Sequence, residues 1–406
     1  MSLEKKLWWK CQILVEGIAV DSDVIFPQGI HTKRIHLYAH SMDKAINAIP
    51  DDIMIGDSDE SLICRVRYHK SSPLTLVKEG DNYAILDTRN KEYLPISFVP
   101  EATFSKEYIE GESLDKVCSF LGQDLVGIIP SNYCFYFKDG SQCRFCEILP
   151  TYQKEVEYSK AMKSIPLMTD AIRKVVEVEK CIKHVAFTTG NIRTYDYTFQ
   201  MLIDIGKNLK ENRPIRSVKD VLATLMPPDN FELIPALANT YFNKVYYALE
   251  VYEKNHFKIV CPGKHDYGYE KLMSAFAASL DCFGKGNVYT NLVYGIQSLD
   301  HHLNPESINH DRENDLSLIA VKELLQKGVI PAFTLYHYAG YNKIGKIKLS
   351  TEHVFSFFKQ WGELVYHSNL VPKERDSVIF SPNTLSNTAY NDGFLLAKKN
   401  NQKLRS

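Results

Sequence analysis

The chain carries no excess of charge of either sign, with 48 Lys and Arg against 49 Asp and Glu in 406 residues. That balance removes a global electrostatic reason to expect nucleic acid as a partner, and no long basic run supplies a local one. Apolar runs of membrane-spanning length are missing as well, and the stretch from Met1 to Trp9 has no signal-peptide core. The expectation is a cytoplasmic protein with no membrane partner. Its nine cysteines are odd in number and scattered, which fits reduced thiols and a metal site better than a disulfide framework. Cys181, Cys261 and Cys282 stand isolated, so no second cysteine pair exists to complete a four-ligand zinc site.

What the chain does have is one dense cysteine loop. Cys134, Cys143 and Cys146 fall at the spacing C-x8-C-x2-C, with Lys138, Asp139, Gly140 and Ser141 as turn chemistry in the long gap. One loop can therefore aim three thiolates at a single point. Structural zinc takes four protein ligands, whereas a 4Fe-4S cluster held by three keeps one iron free.

The loop sits inside an α/β pattern. Apolar runs at 125–130, 183–188, 221–226, 245–251, 288–296 and 329–336 predict six strands. Between them, residues such as Met168, Ile172 and Val175, then Leu202, Ile205 and Leu209, recur at helical spacing. A helix through Asn230, Ile234, Leu237 and Tyr241 is expected behind an Asp229 cap, with further helices around 269–280, 316–324 and 354–365. Six βα units in succession require parallel strands covered by helices. An eight-stranded barrel or an open doubly wound sheet fits this local pattern equally well, and in each the chemistry gathers at the C-terminal strand ends. The cysteine loop follows the first strand at that position.

Before residue 120 the periodicity differs. Alternating runs near 62–68, 74–77, 83–86 and 93–99, separated by turn residues, predict a small antiparallel meander. His31, His36 and His40 lie upstream without a Cys or carboxylate cluster, and ordinary histidines are the reading. At the other end, 378–384 reads as a final strand and loop, and 398–406 as a polar tail. The expected division is 1–120, an accessory region with the meander; 121–345, the α/β unit; and 346–406, a C-terminal helix, strand and tail that complete or cap it.

With Phe145 inside its C-x-aromatic-C end, the cysteine loop resembles the cluster loop of the radical S-adenosylmethionine (radical SAM) superfamily, although eight residues replace the usual three in the first gap. The resemblance spans about residues 120–340 and implies a partial (β/α)6 barrel, α/β in class, with the N-terminal α+β region appended. It implies a 4Fe-4S cluster on Cys134, Cys143 and Cys146, and S-adenosylmethionine (SAM) on the open iron with Phe145 near its adenine. Thr189, Gly190 and Asn191 resemble the segment that meets the methionine amino group. Glu250 resembles the fourth-strand residue that binds ribose, and Tyr294, Gly295 and Ile296 the segment beside adenine. Lys264 and Arg193 are candidates for the SAM carboxylate. Cys261, Tyr336 and His337 are candidate hydrogen-atom or proton donors, or substrate contacts.

That chemistry implies a flavodoxin- or ferredoxin-type electron donor. With no second cysteine constellation for auxiliary clusters and no evident tRNA-binding region, it also favours a small-molecule substrate. Two other readings stay open on the residues alone: a zinc-dependent barrel enzyme using the same three cysteines, and a scaffold protein with a structural cluster.

Overall fold

The structure is a computed structural model that describes residues 1–32, 49–56, 61–154, 162–211, 215, 217–299, 308–371 and 385–403. The chain opens with helix α1 (Leu3–Glu16), capped by the Ser2 hydroxyl, which accepts from the Lys5 amide at 3.2 Å. Six strands follow: β1 (Ala19–Val20), β2 (Asp52–Ile55), β3 (Leu62–Arg65), β4 (Leu74–Glu79), β5 (Asn82–Asp87) and β6 (Glu92–Phe98). They form one sheet in the order β1-β4-β5-β6-β2-β3.

Only β4, β5 and β6 make the expected meander of hairpins. β3 instead pairs with β2, which lies on the far side of β6, and β1 joins β4 in parallel. Local alternation reveals that a run is a strand, but not which distant edge it joins. His36, His40 and the strand read at 378–384 lie outside the described residues.

A two-stranded hairpin, β7 (Tyr108–Ile109) and β8 (Glu112–Ser113), and a short helix α2 (Leu114–Val117) lead to β9 (Ser119–Leu121). β9 pairs antiparallel with the first strand of the main sheet, an addition the apolar pattern does not predict. That sheet then runs β10 (Leu125–Ile128), β11 (His184–Thr188), β12 (Asp220–Leu225), β13 (Lys244–Glu250), β14 (Val288–Tyr294) and β15 (Ile330–Leu335), all parallel and side by side in chain order. The six predicted runs and the six strands agree to within two residues at each end.

Each connection is helical: α3 (Ile148–Lys154) and α4 (Ile165–Val178), α5 (Tyr195–Glu211), α6 (Leu233–Ala238), then α7 (Lys254–Val260), α8 (Pro262–Tyr267) and α9 (Tyr269–Phe283), and α10 (His310–Gln326). A strand order without reversal places right-handed crossovers on one face, so the sheet curls with its helices outside. Tyr247 bonds Ser279 of α9 at 2.9 Å, which fixes that outer face. The result is half of a β/α barrel, not a doubly wound sheet.

α6 is shorter than its periodicity suggests and begins at Leu233 with no side-chain cap. Asp229 is not the cap; its carboxylate engages Lys271 at 2.5 Å instead.

After β15 come α11 (Thr351–Ser368) and α12 (Tyr390–Lys403). The segment read as a polar tail is thus the second half of a helix as far as Lys403, and its lysines and asparagines are the outer face. α12 crosses α11 glycine to glycine: a methyl on Gly393 would lie 2.9 Å from the Phe358 carbonyl carbon, and one on Gly362 would lie 2.8 Å from the Phe394 nitrogen. Gly393→Ala is expected to cost about 1–3 kcal/mol by overpacking, read as a lower urea midpoint at unchanged slope.

The segment before α12 closes the free edge of β15. Thr388 donates to the Phe333 carbonyl at 2.5 Å, and the Arg65 amide donates to Ser386 at 2.9 Å. Beside it, Lys10 of α1 and Asp392 of α12 form a fully buried pair at 2.5 Å, joining the N-terminal sheet to the half-barrel. Among the described residues, no helix is long and apolar enough to cross a membrane.

Candidate functional site

The cysteine loop leaves the C-terminal end of β10 and is held on three sides. Toward β11, the Phe135 amide donates to the Asn191 carbonyl at 2.7 Å. Gly190 lies so close beneath the first cysteine that a methyl there would be 2.7 Å from Cys134 Cβ and 2.8 Å from the Tyr133 carbonyl oxygen. This position excludes a side chain by contact rather than by backbone angle. Gly190→Ala is expected to leave the fold intact but displace Cys134, so that the purified variant keeps most of its thermal stability while losing most of its bound iron.

Toward α7 and α8, the Arg144 amide donates to the Val260 carbonyl at 2.8 Å and the Gly263 amide to the Ser141 carbonyl at 3.0 Å. The third side is the stretch after β15. The Glu147 carboxylate, next to the last cysteine, accepts from the amides of Ala339 at 3.2 Å, Tyr341 at 3.3 Å and Asn342 at 3.1 Å, and from the Asn342 side chain at 2.9 Å. Burial raises the Glu147 pKa, and these donors pull it back. Lys343 adds a bond from its amide to the Arg144 carbonyl at 2.7 Å. Tyr336, one of the candidate donors, belongs to this strap, since its hydroxyl donates to Asn342 at 3.0 Å and to the Gly345 carbonyl.

Cys134 and Cys143 are buried and Cys146 is half-buried. Lys264, itself buried, acts on all three: its ammonium lowers the pKa of each thiol, as the least of the causes at Cys134 and Cys146. Burial dominates at Cys134 and Cys146 and pushes them up, whereas the Cys261 thiol, hydrogen-bonded to Cys143, brings that one down. Burial works against the charge on Lys264, but Glu250, followed by Cys143 and Cys261, outweighs it and raises the lysine pKa. The Lys264 ammonium donates to Glu250 Oε1 at 2.9 Å and to the Ala248 carbonyl at 2.6 Å.

Glu250 is placed by a bulge. Pairing between β13 and β14 slips between Tyr247 and Glu250, and Glu250 adopts φ 69°, which turns its side chain to Lys264. Its other oxygen accepts from the Asn291 amide at 2.8 Å. Asn291 in turn meets Thr334 and the Tyr246 hydroxyl, each at 3.3 Å. Thr188, Thr224 and Tyr246 are register partners on adjacent strands. Because Tyr247 points outward to α9, its neighbour Tyr246 points inward, and with it the whole line. A row of hydroxyl and amide groups, Thr188, Thr224, Tyr246, Asn291 and Thr334, therefore crosses the inner face of the half-barrel below the cysteines.

The remaining residues singled out in the sequence are placed as follows. The Thr189 hydroxyl bonds the Gly190 carbonyl at 2.9 Å, and Asn191 is buried. Arg193 is exposed and lies 4.7 Å from the Tyr197 ring centre. Tyr294 turns to the core, with its ring against Phe357 at 4.8 Å and its hydroxyl on Asn314 at 2.6 Å. Gly295 has φ 106°, and Glu313 of α10 holds the turn through the amides of Gly295 at 2.6 Å, Gln297 at 3.2 Å and Ser298 at 2.7 Å. Ile296 is buried, while Phe145 and His337 are half-buried. Thus Gly190, Glu250, Lys264 and Cys261 come together around the cysteines, and Arg193 and the Tyr294 side chain lie apart.

Among the described residues, the donor atoms that gather within 4.8 Å of one another are those of His31, Asp51 and Asp52; the three loop thiols do not close into such a group. Arg65 already bridges both aspartates, at 2.9 Å to Asp52 and 3.5 Å to Asp51, and supplies the positive charge there.

No family profile matches the chain. A curated protein, bacteriochlorophyllide c C-7(1)-hydroxylase of Chlorobaculum limnaeum, is 23% identical over 242 residues, and the match spans 56% of this chain and 56% of that relative. HydG, a maturase of the FeFe-hydrogenase, aligns over 63% of this chain and 52% of its own at 18% identity and a TM-score of 0.42. HydG of Carboxydothermus hydrogenoformans aligns over 64% and 57% at 13% identity and a TM-score of 0.43. A methyltransferase described as radical SAM, from Sphaerobacter thermophilus, aligns over 75% and 76% at 12% identity and a TM-score of 0.38.

Proposed function

We propose that the chain is a radical SAM enzyme that holds a 4Fe-4S cluster on Cys134, Cys143 and Cys146 and acts on a small molecule. One observation carries this reading: a three-thiol loop at the C-terminal end of the first barrel strand is seated on Gly190 and shares a buried lysine, Lys264. The donor set fits the group, because three soft thiolates beside one cation suit iron and sulfide. Structural zinc takes four protein ligands, and the loop supplies three.

When bound with SAM and given one electron by a flavodoxin- or ferredoxin-type donor, such a cluster supplies a 5′-deoxyadenosyl radical that takes hydrogen from a substrate carbon. The protein's own residues do the rest. Lys264 favours the thiolate form of all three cysteines and stays charged because Glu250 pairs with it. Gly190 and Glu147 fix the loop from opposite sides, so the ligands are positioned before anything binds. The row from Thr188 to Thr334 offers hydroxyl and amide groups to a polar organic molecule.

The test is anaerobic reconstitution with iron and sulfide, then reduction with dithionite in the presence of SAM. A brown protein that releases 5′-deoxyadenosine is expected. A colourless protein that copurifies with zinc, or a fully loaded cluster that releases none, overturns the assignment.

A further inference from the structure

α7 and α8 are separated by a single residue, Cys261, because Pro262 has no amide hydrogen with which to continue the first helix. That break is pressed against the cysteine loop. Two backbone bonds straddle it, Arg144 to Val260 at 2.8 Å and Gly263 to Ser141 at 3.0 Å. Gly263 allows the approach, since a methyl there would lie 2.9 Å from the Ser141 carbonyl oxygen and meet the Tyr136 ring. The two bonds bring Cys261, with no solvent exposure at all, beside Cys143, and each of the two thiols shifts the other's pKa.

Three roles are open to a fourth thiol at this place. A hydrogen-atom donor must reach the substrate, but Cys261 has no exposed surface in the seam between loop and helices. A fourth iron ligand must reach a different iron, and thiolates on different irons of a cube stand farther apart than a hydrogen bond. A thiol this close to a ligand sulfur serves that sulfur. Hydrogen bonds to cluster sulfurs drain electron density from them and ease the uptake of an electron.

We propose that Cys261 is a positioning residue that donates its S–H to the sulfur of Cys143 and thereby raises the reduction potential of the cluster. The inference rests on the cluster assigned above to Cys134, Cys143 and Cys146. It explains why a free thiol is buried at a helix break where a small apolar residue would pack as well, and it lets a weaker reductant charge the site. Lys264, one turn along α8, acts in the same direction through its charge.

The experiment compares the full-length wild type with Cys261→Ala and Cys261→Ser, each reconstituted anaerobically without SAM. Iron and sulfide per chain are measured, and the reduced cluster is followed by electron paramagnetic resonance during a potentiometric titration. Iron content is expected to be equal in all three. At a fixed potential the ratio of reduced to oxidised cluster is expected to fall about threefold in Cys261→Ala, the size of one modest hydrogen bond. That corresponds to about 30 mV for a one-electron couple. Cys261→Ser keeps a donor and is expected to lie closer to wild type.

Equal midpoints in all three at equal iron content overturn the proposal, as does a serine variant no closer to wild type than alanine. Iron loss in Cys261→Ala as deep as in Cys143→Ala also overturns it, by making Cys261 a ligand. A wild type that takes up no cluster removes the underlying assignment instead, and is told apart by its iron and sulfide content.

Discussion

Alanine at any one of Cys134, Cys143 and Cys146 is expected to abolish iron retention and 5′-deoxyadenosine release, and Cys282→Ala is expected to leave both largely intact. Each loop thiolate is expected to hold its own iron, and with three protein ligands there is none in reserve. Activity is expected to fall by about 10³-fold or more, equivalent to about 4 kcal/mol of transition-state stabilisation. Cys282 is an exposed thiol near the end of α9, on the outer layer of the half-barrel, so its loss removes nothing that the loop touches. The measurement pairs iron and sulfide analysis with chromatographic detection of 5′-deoxyadenosine for each variant. Equal loss in all four would place the cluster elsewhere and contradict the assignment.

The parallel strands were legible because each is a short run buried on both faces, which local hydrophobicity reports directly. β9 and the order of the N-terminal sheet were not, because they depend on which edges meet across a long stretch of chain. α12 was hidden by its composition: Lys398, Lys399, Asn400, Asn401, Gln402 and Lys403 look like a tail, yet Gly393, Phe394 and Ala397 on the same helix are buried against α11.

In the site, Glu250 announced itself as a carboxylate in an apolar run that must find donors. Its partner Lys264 was also singled out, but nothing in a spacing of fourteen residues says that they bind one another. Glu147 gave no signal, since an acidic residue after a cysteine is unremarkable until the amides it gathers, 192 to 195 residues later, are seen in space. Gly190 was singled out for its resemblance to the segment that meets the methionine amino group, and nothing in the sequence pointed to a contact with Cys134. In the structure it is the seat of the first cysteine.

The Lys264–Glu250 pair sets the last prediction. Both side chains are about nine-tenths buried, so removing one partner strands the other. Lys264→Met is expected to destabilise the fold by about 3–5 kcal/mol, read from the urea midpoint, because the Glu250 carboxylate keeps its bond from Asn291 but loses its counter-charge. The double variant Lys264→Met with Glu250→Gln removes both charges, and replacing a whole buried pair is close to neutral for stability. It is therefore expected to recover most of the lost stability. Iron uptake is expected not to recover, since the three thiols still lack the ammonium that favours their ionised form, and the deficit should ease at higher pH, where thiols ionise without help. A double variant that regains both stability and iron at neutral pH would reduce Lys264 to a packing role and leave the loop to ionise its own cysteines.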